Sequence, residues 1–129
     1  DMGIGNTTAS ACLIAALAGL DSTTVAGRGT GIDDAALARK RDIIAAALQR
    51  AADRCTSPAD WLAEVGGLEI AAMAGFYLES ARLGQPVLVD GFIATAAALA
   101  ACRYACKAAC TSCRHALYCS RSLTIWLPL

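Results

Sequence analysis

Two glycine-rich turns offer the first chemistry in this chain: "GIGNTT" at residues 3–8 and "GRGTGIDD" at residues 27–34. Each sets small residues directly ahead of an apolar, helix-forming run. The first N–H groups of a helix have no partner inside it, and the helix dipole adds partial positive charge there, so such a turn suits a phosphate or a carboxylate. Two of them close together point to an anionic ligand. Neither completes a stock motif: no Lys-Ser or Lys-Thr closes a Walker A pattern, and Gly27, Gly29 and Gly31 lack the G-x-G-x-x-G spacing of dinucleotide folds. Ordinary connecting turns are the alternative reading.

Lys40 favours the anion. On a helix started by Asp33, positions 37, 40, 44 and 48 share a face and read Leu37, Lys40, Ile44, Leu48. A lone lysine in an apolar stripe reads as a snorkelling stem with its ammonium in water. Beside two anion-ready turns it becomes a phosphate partner. Asp33 and Asp34 have the type of metal ligands, but a helix cap and a first-turn acid explain them better. Asp90 stands at the carboxyl end of a predicted strand, where α/β sheets place their sites.

The elements that must position these residues are mostly helices. Residues 8–20 are nearly all Ala, Leu and Ile, with Asn6, Thr7 or Thr8 to cap them, and predict a fully buried helix. Residues 23–26 form a short β-prone run leading to the second turn. A helix follows from Asp33 to about Ala52; Ser57-Pro58 starts another, Gly66-Gly67 ends it, and residues 68–83 make a further apolar helix with Glu69 in its first turn. "QPVLVDG" predicts a buried parallel strand, followed at once by the helical "FIATAAALAA". Strand, polar turn and helix in that order predict an α/β, incomplete Rossmann-like parallel-sheet domain, predominantly helical in this stretch.

Composition narrows the function classes. A chain of 129 residues, 57% hydrophobic, can bury one core. Lys plus Arg equals Asp plus Glu at 11 each, so no overall field attracts nucleic acid or an anionic membrane. The longest uncharged apolar runs, at 9–20 and 91–102, fall short of the roughly 20 residues of a bilayer-spanning helix. With no leader pattern at its start, a cytoplasmic setting is expected. The charge is uneven, however: residues 1–90 hold all 11 acids against seven bases, and the rest carries +4 with no acid. Cys102, Cys106, Cys110, Cys113 and Cys119 crowd into the same basic segment.

Four blocks in series, "MGIGNTT", "GRGTGIDDAALARKR", "GGLEIAAMAG" and "PVLVDGFIATAAALAA", make residues 1–102 resemble the nicotinate-nucleotide:dimethylbenzimidazole phosphoribosyltransferase family. The resemblance implies a Rossmann-like domain, a homodimer, and transfer of phosphoribosyl from nicotinate mononucleotide to 5,6-dimethylbenzimidazole, giving nicotinate and α-ribazole 5′-phosphate. Neither cofactor nor metal is implied. In the family the benzimidazole nitrogen attacks the anomeric carbon with inversion while a glutamate takes the proton from the other ring nitrogen. Carried over, the first block makes Gly3, Gly5, Asn6 and Thr7 ligand-lining. The second contributes Gly27, Gly29, Thr30 and Gly31 near the phosphate, with Lys40 as the matching lysine, and Asp90 falls in the strand-end "DGF" block.

Asp1 stands where the family usually has glutamate, keeping a carboxylate on a shorter stem. The family's general base lies in a Gly-Glu-Gly loop downstream of "DGF", and this chain has no acid after Asp90, so it carries no catalytic base of its own. The chain therefore reads as an internal fragment, inactive alone. Residues 103–129 form a separate, aberrant Cys-rich tail. A metal site there would use Cys102, Cys106, Cys110, Cys113 and His115, but C-x3-C-x3-C-x2-C is not a zinc spacing. A change of reading frame, which removes acids while raising Cys, Arg and Ser together, accounts for it better. A non-catalytic nucleotide-binding module and a Cys-rich metal-binding protein are the alternative functions.

Overall fold

The helix boundaries follow local chemistry that a short stretch of chain can satisfy alone. The computed structural model describes residues 1–29 and 31–110, with side chains through 107; Thr30 and the Cys-rich segment from 111 onward lie outside the described residues. Six helices run in order: α1 Thr7–Ala18, α2 Ser22–Val25, α3 Asp34–Ala52, α4 Pro58–Val65, α5 Leu68–Arg82 and α6 Phe92–Cys110. Asp33 caps α3 by accepting from the Ala36 amide at 2.7 Å. Ser57 and Asp60 form a reciprocal capping box with Pro58 in the first turn of α4. α1 stops at Gly19, whose φ of 68° and ψ of 36° place it in the left-handed region that ends helices.

The core is built from small residues, which lets helices approach closely. α6 packs against α5, α1 and α4, while α1 also touches α2, α3 and α4. Ala96, Ala97, Ala98, Ala100 and Ala101 of α6 are buried with Ala11, Cys12 and Leu13 of α1, and Ile44, Ile70 and Tyr77 close the core from α3 and α5. In α5 the buried positions Ile70, Ala74, Tyr77 and Ser80 recur at helical spacing. α1 is buried at its centre, but Ile14, Ala16 and Leu17 are half-buried and Ala18 is exposed, so the expected fully buried helix is only partly so. Burial pushes the Cys12 thiol up, which keeps it protonated and unreactive.

Two expectations are corrected. The β-prone run at 23–26 is not a strand: Asp21 accepts from the Thr23 amide and hydroxyl at 2.7 and 2.6 Å, and that local cap starts the one-turn α2. "QPVLVDG" is not a strand either, since residues 85–90 have no regular secondary structure. Val87 and Val89 pack against the core while Leu88 is 99% exposed. The alternation of a strand is present, but a strand is defined by its ladder, and no strand occurs among the described residues to supply one. The described part is thus all helical, and the expected parallel sheet is not part of it. α6 continues through Cys110, so the compositional change after residue 102 falls inside one helix.

Candidate functional site

The two glycine turns meet at Lys40. Its ammonium Nζ donates to Thr7 Oγ1 in the first turn of α1 at 3.1 Å and to the Gly27 carbonyl at 3.1 Å. One charge thereby ties α3 to both turns across 33 and 13 residues of sequence. The lysine is half-buried between Leu37 and Ile44, which are buried on the same helix. Cavities lie on two sides of it. The larger, about 370 Å³, is lined by Gly3, Ile4, Gly5, Thr7 and Thr8 from the first turn, by Arg28, Gly29 and Ile32 from the second, and by Ala36, Arg39, Lys40 and Ile43 of α3. A smaller one, about 250 Å³, is lined by Thr7, Val25, Gly27, Gly29, Lys40 and Phe92.

The helix termini behind the turns are not equivalent. Asp33 fills the Ala36 amide of α3 with a carboxylate, and Asp34 adds a second acid to the same turn. An anion is therefore disfavoured at the start of α3. At α1 the N-cap Asn6 makes no side-chain cap; its Nδ2 instead donates to Asp1 Oδ2 at 2.7 Å, and the Gly3 amide donates to the same oxygen at 3.4 Å. No acid lies in the first turn of α1. Asn6 Oδ1 is buried with no partner among the described residues. The α1 terminus has no side-chain cap and no first-turn acid, so of the two it is the better suited to an anion.

The second turn contributes differently. Gly29, with φ of 55°, brings its backbone against Thr7, where an added Cβ would meet Thr7 Oγ1 at 3.8 Å. The Arg28 guanidinium is held by the Ile32 carbonyl at 3.0 Å and by the Asp34 carboxylate, which fixes the turn and offsets that cation. Asp33 and Asp34 thus cap and pair; among the described residues no group of three His, Cys, Asp or Glu converges on a metal position.

The structure brings together Gly3, Gly5, Thr7, Gly27, Gly29 and Lys40. Asp1 and Asn6 sit behind the first turn, bonded to each other. Gly31 is exposed and lines neither cavity, and Asp90 is exposed too, although Phe92 two residues on does reach the smaller cavity. Thr30 lies outside the described residues. Sequence reasoning missed Arg28, Arg39, Ile4, Ile43 and Phe92. The signal for two of them was available: Ala36, Arg39, Lys40 and Ile43 follow i, i+3, i+4, i+7 and form the cavity face of α3.

Comparison with known proteins identifies the family. A family model described as phosphoribosyltransferase matches residues 1–121. A relative from Chromobacterium violaceum named nicotinate-nucleotide–dimethylbenzimidazole phosphoribosyltransferase is 65% identical over 101 residues, covering 78% of this chain and 29% of the relative. One of the same name from Cupriavidus taiwanensis is 56% identical over 103 residues, covering 80% and 30%. The crystal structure of CobT from Thermus thermophilus superposes with a TM-score of 0.75 at 51% identity, covering 80% of this chain and 31% of that one. The chain therefore spans about 30% of the length of these relatives. At this level of identity, with both glycine turns inside the matched region, the chain belongs to the phosphoribosyltransferase family.

Proposed function

We propose that this chain forms the nucleotide-holding part of an enzyme that transfers phosphoribosyl from nicotinate mononucleotide to 5,6-dimethylbenzimidazole, releasing nicotinate and leaving α-ribazole 5′-phosphate. The single observation that carries the proposal is the Lys40 ammonium, fixed between Thr7 Oγ1 and the Gly27 carbonyl at the junction of the two turns. The names of the relatives supply the substrates. In this reading the phosphate lies at the α1 terminus, against the amides of the first turn and the lysine. Behind the first turn, Asp1 Oδ2 accepts from Asn6 Nδ2 and from the Gly3 amide and so holds the turn that meets the ligand.

Transfer between two ring nitrogens at one anomeric carbon asks for fixed geometry more than for a strong acid. Anchoring the phosphate turns the ribose so that its anomeric carbon meets the incoming nitrogen, and preorganised donors do this with little reorganisation. The base that takes the benzimidazole proton belongs, by family resemblance, to a segment absent from this sequence. Residues 85–90 fit the same view as a strand of the complete enzyme's Rossmann-like sheet, with Val87 and Val89 already on the core and the ladder supplied by other segments. A homodimer and a cytoplasmic setting, with no nucleic-acid partner, complete the proposal.

The test is a chimera in which residues 1–102 replace the matching segment of the Chromobacterium violaceum relative. It is expected to make α-ribazole 5′-phosphate and nicotinate, and to lose most of that activity on Lys40→Met. A folded chimera that forms no product overturns the proposal.

A further inference from the structure

We infer that Arg39 is a further ligand-binding residue, presenting its guanidinium to one of the anionic oxygen groups of the nucleotide in the cavity beside Lys40. Arg39 lines the larger cavity one residue before Lys40, on the face of α3 formed with Ala36 and Ile43. Three cations surround that space, and their commitments differ. Arg28 is spent on Asp34 and the Ile32 carbonyl. Lys40 is shared with Thr7 and Gly27. Arg39 is exposed and has no hydrogen bond or ion pair among the described residues, so it is the cation at this wall whose donors are all open. Its fork matches a phosphate or carboxylate with two parallel bonds, which a lysine cannot offer.

The apolar walls fit the same ligand class. Ile43 of α3 and Ile4 of the first turn line the cavity and are 57% and 72% exposed. Apolar side chains beside paired cations suit a flat, partly apolar anion better than inorganic phosphate alone. Nicotinate mononucleotide carries two such groups, a ribose phosphate and a ring carboxylate, and Arg39 takes one of them. This inference rests on the placement of the nucleotide proposed above.

The test is calorimetric titration of the unsubstituted chain, Arg39→Gln, Arg39→Lys and Lys40→Met with nicotinate mononucleotide and with nicotinate riboside, which lacks the phosphate. Arg39→Gln is expected to raise Kd for the mononucleotide about tenfold, roughly the loss of one charged hydrogen-bonding partner, with Arg39→Lys recovering part of it. If the effect of Arg39→Gln disappears with the riboside, Arg39 meets the phosphate; if it persists, Arg39 meets the carboxylate, and both support the inference. Should Arg39→Gln bind within twofold of the unsubstituted chain while Lys40→Met is weakened, the inference is overturned and the nucleotide placement stands. If neither substitution changes binding, the placement itself fails and the inference with it.

Discussion

Replacing Lys40 by Met keeps an unbranched stem in the half-buried groove between Leu37 and Ile44 and removes only the ammonium. Two losses follow, and the structure separates them. In the free protein Nζ donates to Thr7 Oγ1 and the Gly27 carbonyl, each at 3.1 Å; for a partly solvated pair this costs on the order of 1–2 kcal/mol of stability. With a phosphate at about 4 Å, an effective dielectric of about 20 gives roughly 4 kcal/mol, whereas solvent-exposed pairs deliver under about 1. Lys40 lies between those limits, so about 2 kcal/mol is expected, or roughly 30-fold in Kd. Calorimetry with nicotinate mononucleotide reads the second loss, and a thermal melt without ligand reads the first. The difference between unsubstituted and Lys40→Met chains should narrow as salt rises, because part of the attraction is screened. A melt lowered by a few degrees with Kd unchanged would refute the reasoning, since it would make Lys40 a tether of the turns and nothing more.

Other outcomes bear on the scaffold. Ile70 is fully buried in the core, so Ile70→Ala should cost about 2–4 kcal/mol in urea unfolding and Ile70→Val about 1. Gly29→Ala has room for its Cβ but must hold a φ of 55°, so about 1 kcal/mol of strain and a several-fold weaker nucleotide Kd are expected. Hydrogen bonds with Ser57 first, then with Thr56, hold the Asp60 carboxyl below the usual carboxylate range. Its folded pKa lies under its unfolded one, so the stability it contributes is present above about pH 4 and is lost as pH falls through the folded value. Asp60→Asn should therefore flatten the acid limb of a stability-against-pH curve. Ser57→Ala removes the other half of the box and should cost about 1 kcal/mol at neutral pH.

What could be read from residue order was whatever a short stretch settles by itself. Asp33, Ser57-Pro58 and Gly19 are local signals, and α3, α4 and the end of α1 obey them. The failure at residues 23–26 is also local, because β-propensity gave way to the Asp21 side chain bonding Thr23. The failure at 85–90 is of another kind. Val87 and Val89 turn to the core as a strand would, but a ladder needs a second segment, and pattern alone does not say where that segment is. At the site, Lys40 and both turns were legible from the lysine's intrusion into an apolar stripe. Arg39 and Ile43 lie on the face of α3 that adjoins the buried stripe through Leu37, Ile44 and Leu48, and their own helical spacing with Ala36 and Lys40 marks it only once the cavity is known.

The central claim is that the two turns and Lys40 hold one nucleotide anion. Amide-resolved NMR on the chain, titrated with nicotinate mononucleotide, tests it most directly. The predicted result is a set of saturating shifts at the amides of Gly3, Gly5, Thr7, Gly27 and Gly29, with saturation moved to roughly 30-fold higher ligand by Lys40→Met. Shifts gathered instead around the apolar groove of α4 and α5, at Leu62, Gly66 and Leu68, or no shift at any residue up to millimolar ligand, would contradict it.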